Sequence, residues 1–453
     1  MRCVAVASDF LTADELSAVK SEYAPALESA GVSFADEPSS PVVVLFVATG
    51  GTERRVMDLA EARRAQGGGR SANPSGGDGA GGPGGCAGEV VLVAYPGRNS
   101  LPASLEVLAR LQQDGVPGRM VFLDGAGDVD GIERLRVAVS EPFASGVADG
   151  SIPEFPPKRE PVSQLGDAFS SKPPSRPLDG LRVGLIGEPS DWLVASSPSP
   201  ELVRDVWGAE VVGIELAEVV RWMGGGDAAR GSRRDAARRF SGSFAGGATE
   251  CREPATSDLE ASGRIYVALR SVIEENGLDA LTVRCFDLVT GLGATGCLAV
   301  SRLTDEGTIA GCEGDLVSEL GLLWARHATG ETPWMANPAR INIATNTLTL
   351  AHCTVPCSLV ESFALRSHFE SGLGAAVAGV LPTGPVTLLR IGGRALDRVW
   401  SAHGEITASG CDEEMCRTQV DVRLDPSASV ADLLEHPLGN HLVLVRGHHD
   451  LHR

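Results

Sequence analysis

Aromatic side chains are scarce in this chain. Phe, Tyr and Trp make up 5 % of its 453 residues, so its cores must be packed by Leu, Val and Ala. Positive charge is also short: 39 Lys and Arg stand against 59 Asp and Glu, a formal net charge of −20. Such a balance repels phosphate and argues against a nucleic-acid or anionic-membrane partner. No apolar run reaches the roughly 20 residues of a membrane span. The opening MRCVAVASDFLTADEL lacks the basic start and cleavable apolar core of a secretory signal and reads as a first strand. A P-loop and a G-x-G-x-x-G turn are both missing. Gly50-Gly51 after an apolar strand is compatible with a phosphate turn, but without that pattern no nucleotide cofactor is expected. The ten cysteines show no disulfide-framework spacing and suit a reducing, cytoplasmic setting.

What is present is an α/β pattern. The length calls for two or three domains. In residues 1–150, continuous apolar strands at Cys3–Ala7, Val42–Val47, Val90–Tyr95 and Arg119–Leu123 alternate with helical spacing at Leu16–Ala30 and Leu101–Gln112. That alternation indicates a parallel, doubly wound sheet covered on both faces. The Gly-rich residues 67–88 read as a disordered insertion and the Pro-rich 151–177 as a linker. A second Rossmann-like α/β domain is expected over 178–340, with strands at Leu181–Gly187, Glu210–Ile214 and Leu281–Arg284 and helices at Leu259–Asn276 and Gly314–His327. Residues 224–257 read as a second insertion, whose RGSRRDAARR run is a solvated loop rather than an anion-binding patch. Over 341–453 short strands at Thr347–Ala351, Gly374–Val380, Val386–Ile391 and Gln419–Leu424 predict a β-rich, barrel-like C-terminal domain.

Chemistry-bearing residues are few. In Cys312-Glu313-Gly314-Asp315, either both carboxylates face one cation, or one binds metal while the other caps the following helix. His352 ends an apolar strand, a place for a core histidine or a ligand. His441, His448 and His449 lie near the C-terminus; if the last two sit in a strand they point to opposite faces. Histidine with carboxylate suits Mn²⁺, Mg²⁺, Zn²⁺ or Fe²⁺, with Mn²⁺ or Mg²⁺ favoured by the oxygen ligands. Cys353/Cys357 and Cys411/Cys416 invite a zinc site, but C-x3-C and C-x4-C are loose spacings, and reduced buried thiols are the alternative.

The order of several motifs resembles the L-fucose/L-arabinose isomerase superfamily. They are Ala48–Glu53, Asn99–Ala103 with Glu106, Leu185–Leu193, Arg284–Asp287, Cys312–Asp315, Met335–Pro338, Ala351–Thr354, His368–Glu370 and Gly439–His441. This resemblance implies a metal-dependent interconversion of an aldose and a ketose by enediol proton transfer. It implies Glu313 as base and ligand, Asp315 as its support, and His352 and His441 as metal ligands, with His448 and His449 as rivals for His441. Asn337 stands where arabinose isomerases have a carboxylate; its carbonyl can coordinate but brings no charge. Arg284, His368 and Asn440 are the implied substrate-binding residues, Arg284 being equally suited to a structural ion pair. The implied cofactor is a divalent metal, Mn²⁺ with Mg²⁺ or Co²⁺ as alternatives. The implied partners are a monosaccharide and further copies of the chain, as a trimer or hexamer. A catalytically inactive sugar- or metabolite-binding protein is the competing reading.

Overall fold

The computed structural model describes residues 1–37, 42–67, 89–141, 175–224 and 230–451. They fall into two compact units, Met1–Gly166 with Ala431–Pro437 and Asp167–Val430 with Leu438–Arg453. The calls on 151–177 and on nearly all of 67–88 lie mostly outside the described residues. Among the described residues no helix is long and apolar enough to cross a membrane.

The first unit holds a parallel sheet of β1 (Arg2–Val6), β2 (Ser33–Phe34), β3 (Val43–Val47), β4 (Val90–Ala94) and β5 (Gly118–Phe122), in the order β2-β1-β3-β4-β5. β3 and β4 are buried along their whole length, as continuous apolar runs require. The helix Ala13–Ser29 starts three residues before the apolar spacing shows. Thr12 accepts the Glu15 N–H while the Glu15 carboxylate accepts the Thr12 N–H, a reciprocal cap that satisfies two orphan donors. Scarce aromatics gather here, with Tyr23, Phe46 and Tyr95 within 5.0–5.5 Å of one another.

The second unit also holds a parallel sheet. It contains β6 (Arg182–Ile186), β7 (Glu210–Ile214), the short β8 (Glu250–Cys251), β9 (Ala280–Val283) and β10 (Ile309–Cys312), and its parallel sheet runs β10-β9-β6-β7. In such sheets ligands bind beyond the carboxyl ends of the strands, where the order reverses. Here the reversal lies between β6 and β9, which are joined in register from Val183 to Ile186.

The same unit contains β11 (Trp334–Asn342), β12 (Thr347–His352), β13 (Ser362–Arg366), β14 (Ala376–Val380), β15 (Gly384–Gly392), β16 (Arg398–Gly410), β17 (Thr418–Leu424) and β18 (Leu442–Arg446). Six of these close an antiparallel barrel in the order β11-β12-β17-β16-β15-β18. β14, β13 and β8 form a separate small sheet. The fold is therefore mixed α/β, with parallel sheets and a closed barrel. His448 and His449 follow β18 instead of lying in a strand.

One expectation is overturned. Within 224–257, the RGSRRDAARR run read as a solvated loop lies in a helix at Arg230–Gly247. Ala237, Phe240, Ser241 and Phe244 are buried along one face at i, i+3, i+4 and i+7, a stripe hidden among Arg, Gly and Ser. Phe240 stacks on Tyr266 of the helix Thr256–Asn276, ring centroids 4.5 Å apart. The two helices approach so closely at Gly263 that a Cβ there would lie 2.5 Å from the Ala237 carbonyl oxygen. Gly263→Ala is therefore expected to force the helices apart and lower stability by about 1–3 kcal/mol in denaturant unfolding. An unchanged midpoint would contradict this packing.

Candidate active site

Three loops at the carboxyl ends of β6, β9 and β10 deliver Trp192, Arg284 and Glu313 to the side of the second sheet where ligands are expected. Glu313 follows β10 directly and adopts φ +65°, a left-handed conformation costing a non-glycine residue about 1–2 kcal/mol. The turn is held by Ser190 N–H donating to the Glu313 carbonyl and Gly314 N–H donating to that of Val283. At Gly314, also left-handed, a Cβ would come within 2.8 Å of the Glu188 carbonyl oxygen, so only glycine fits. The strain aims the Glu313 carboxylate, 13 % exposed, at two histidines.

His352 ends β12 and His441 immediately precedes β18. Each ring has one nitrogen fixed from behind: His352 Nδ1 lies 2.7 Å from Thr354 Oγ1, and His441 Nδ1 lies 2.9 Å from Asp315 Oδ2. This turns both Nε2 atoms toward Glu313 Oε1, at 4.0 Å from His352 and 3.5 Å from His441. The other carboxylate oxygen accepts a 2.6 Å hydrogen bond from the Trp192 indole N–H. One ligand atom from each of Glu313, His352 and His441 lies within 4.8 Å of the others, a group able to hold a metal ion. The donor set fits one: His441 Nε2 is buried without a hydrogen-bond partner, and its other nitrogen is anchored as in metal-ligating histidines.

Behind this group runs a buried polar chain. Asp315 caps the helix Leu316–Thr329 through the Ser318 N–H, and also accepts from the Ser318 hydroxyl and His441. Arg390 of β15 lies 3.4 Å from Asp315 and donates to the hydroxyls of Ser318 and Ser196. Gly439 leaves room for it, since a Cβ there would overlap the guanidinium. Burial works against every charge here. Arg390 and His441 nonetheless hold Asp315 well below the usual carboxyl range. His441 and His352, with the Trp192 N–H, bring Glu313 below its ordinary value. Burial is not offset at His352, which is pushed down to about 3 and is a neutral imidazole. At His441 burial is outweighed by Glu313 and Asp315, which carry it up to about 9.

No family model matches the chain. It is similar to the sulfoquinovose isomerase of Alkalicoccus urumqiensis, 26 % identical over 245 residues, or 51 % of this chain and 52 % of that one. The sulfoquinovose isomerase of Clostridium sp. (strain MSTE9) is 29 % identical over 154 residues, covering 30 % and 34 % of the two chains. That of Priestia aryabhattai is 26 % identical over 129 residues, covering 27 % and 29 %. The chain thus spans about half the length, or less, of the curated relatives it matches.

Of the other sequence-derived candidates, His368 lies close enough to Glu313 and His352 to interact electrostatically with both. Asn337 is buried on β11 with no hydrogen-bond partner for its amide oxygen, and pairs in register with Ala351, the residue before His352. His368 is buried, its ring edge-on to Phe286 at 5.3 Å, and burial lowers its pKa. Phe286 in turn meets Trp192 edge-on at 4.8 Å. Arg284 is engaged with Asp191, Asp287 and the Pro189 carbonyl, the arrangement of a structural ion pair. Asn440 is buried beside His441. The cysteines do not pair as their spacings suggest. Cys353 and Cys416 share a buried cluster with Cys297, Cys411 is exposed, and Cys357 meets Ser301. All nine cysteines among the described residues are free thiols.

Sequence reasoning missed Arg390, although a lone charge inside the apolar run Val386–Ile391 demands a buried partner. It also missed Glu319, whose carboxyl is buried without a hydrogen-bond partner under Gly311, where a Cβ would meet it at 2.3 Å. Burial, and then the charge of Asp315, raise its pKa well above the usual value. A carboxyl raised by folding contributes its full stability below the unfolded pKa of about 4.3 and loses it as pH rises toward the folded value. Glu319→Gln is thus expected to melt higher than wild type at pH 8 and about equally at pH 4. Parallel melting curves at both pH values would contradict a protonated Glu319.

Proposed function

We propose that the chain is a metal-dependent aldose–ketose isomerase of the L-fucose/L-arabinose type, and that its substrate is a sulfonated hexose such as the sulfoquinovose in its relatives' name. The observation that carries this reading is the convergence of Glu313, His352 and His441 beyond β10, with one carboxylate oxygen facing both imidazoles.

Interconverting an aldose and a ketose means moving one proton between two adjacent carbons and a second between the oxygens those carbons carry. The Glu313 carboxylate, kept ionised by its neighbours, removes the proton from the carbon beside the carbonyl and returns it to the neighbouring carbon of the enediol. Trp192 pins one oxygen of that carboxylate and fixes its direction. His352 and His441, with Glu313, would hold a divalent cation; two imidazoles and one carboxylate accept several such ions, and Mn²⁺ is taken from the family resemblance. When bound, the cation supplies Lewis-acid polarisation of the sugar oxygens. Arg390, Asp315 and Ser318 hold His441 in place and spare the site any reorganisation during the reaction. Asn337, in place of a carboxylate, favours the second reading, a sugar-binding protein without turnover.

The test is conversion of sulfoquinovose, L-fucose and L-arabinose by chelator-treated protein with Mn²⁺ restored. Metal-dependent conversion is expected, falling at least 10²–10⁴-fold in Glu313→Gln, the usual contribution of a general base. Trp192→Phe should retain the metal and lose turnover more mildly. Activity of Glu313→Gln near that of wild type would remove the assignment, and a sugar bound without turnover would favour the binding protein.

A further inference from the structure

A second group of ligand-type side chains lies on the barrel, built from residues the proposed isomerase chemistry does not use. We infer that His403, Asp425 and His448 form a separate site for a borderline divalent cation of the Zn²⁺ type. One ligand atom from each lies within 4.8 Å of the other two. His403 is on β16. Asp425 directly follows β17, its N–H donating to the His403 carbonyl at 3.0 Å. His448 lies two residues beyond the end of β18. The two imidazoles stack at 4.7 Å with their planes 7° apart.

The hydrogen bonds of these rings set the ligand atoms. His403 Nε2 lies 3.0 Å from the His449 carbonyl oxygen, and His448 Nε2 lies 3.1 Å from that of Gly404. A carbonyl only accepts, so each Nε2 carries the hydrogen, and a neutral ring then presents its lone pair at Nδ1. An imidazole whose far N–H is tied to a backbone carbonyl is the usual form of a metal-ligating histidine. Asp425 adds a carboxylate, and two imidazoles with one carboxylate suit Zn²⁺, Co²⁺ or Ni²⁺.

The turn that carries His448 is held in advance. Gly447 adopts φ +90°, and its N–H donates to the Pro385 carbonyl. Thr387 Oγ1 donates to the Gly447 carbonyl and accepts the His449 N–H, which anchors the turn to β15. His449 points elsewhere, its Nε2 meeting the Arg446 carbonyl. A cation here joins the middle of β16 and the end of β17 to the segment after β18, and so acts as a clasp on the closed barrel.

The experiment counts Zn²⁺ bound by the chelator-treated full chain in equilibrium dialysis, with thermal melting in parallel. Asp425→Asn, which keeps the size of the side chain, and His448→Gln are each expected to bind one Zn²⁺ fewer per chain than wild type. Both should also lose most of the rise in melting temperature that Zn²⁺ brings. Zinc held by the Glu313 group or by thiols is common to all three proteins and cancels in the difference. Glu313→Gln should keep the equivalent that Asp425→Asn loses, so this site stands or falls apart from the isomerase reading. A deficit below half an equivalent in both variants, or an unchanged zinc response in melting, overturns the inference.

Discussion

The second unit depends on one buried electrostatic chain, from Arg390 through Asp315 to His441. Arg390 and Asp315 are 2 % and 0 % exposed, so neither charge has solvent to fall back on. Removing one partner of such a pair typically costs about 3–5 kcal/mol, because the other is left uncompensated. The chain also joins parts that are remote in sequence. Asp315 starts the helix after β10, Arg390 sits mid-barrel on β15, and His441 leads into β18. The same hydrogen bonds that stabilise the barrel against the parallel sheet thereby turn His441 Nε2 toward Glu313. Stability and site geometry are one construction here.

Glu313 shows the complementary constraint. Its left-handed backbone is unfavourable by itself, and the hydrogen bonds at Ser190 and Gly314 maintain it. Strain of this kind accumulates where a side chain must take a direction that relaxed backbone would not give. The benefit is a carboxylate with each oxygen assigned, one to the Trp192 indole and one facing two imidazoles.

The parallel sheets could be read from the sequence because their strands are uninterrupted apolar runs, and β3 and β4 are indeed buried throughout. Glu313, His352 and His441 stood out through a resemblance in motif order; the spacing of these residues alone does not bring them together. Other features left no local trace. The helix Arg230–Gly247 hides four buried positions among arginines and glycines. β16 runs for 13 residues with its outer half largely exposed, which blurs the alternation of a strand. That Ala431–Pro437 packs with the first unit is a long-range contact with no sequence periodicity behind it. The link from Arg390 to Asp315 follows the same logic, since a buried charge announces that it has a partner without saying where.

The central claim is that Glu313, His352 and His441 together hold a divalent cation at the reacting carbons of a sugar. Anomalous diffraction from crystals of the full chain grown with Mn²⁺ addresses it directly. A single manganese peak within bonding distance of the Glu313 carboxylate and the Nε2 atoms of His352 and His441, lost in Glu313→Gln, is the predicted result. Saturating Mn²⁺ that leaves these three side chains without a peak would contradict the account.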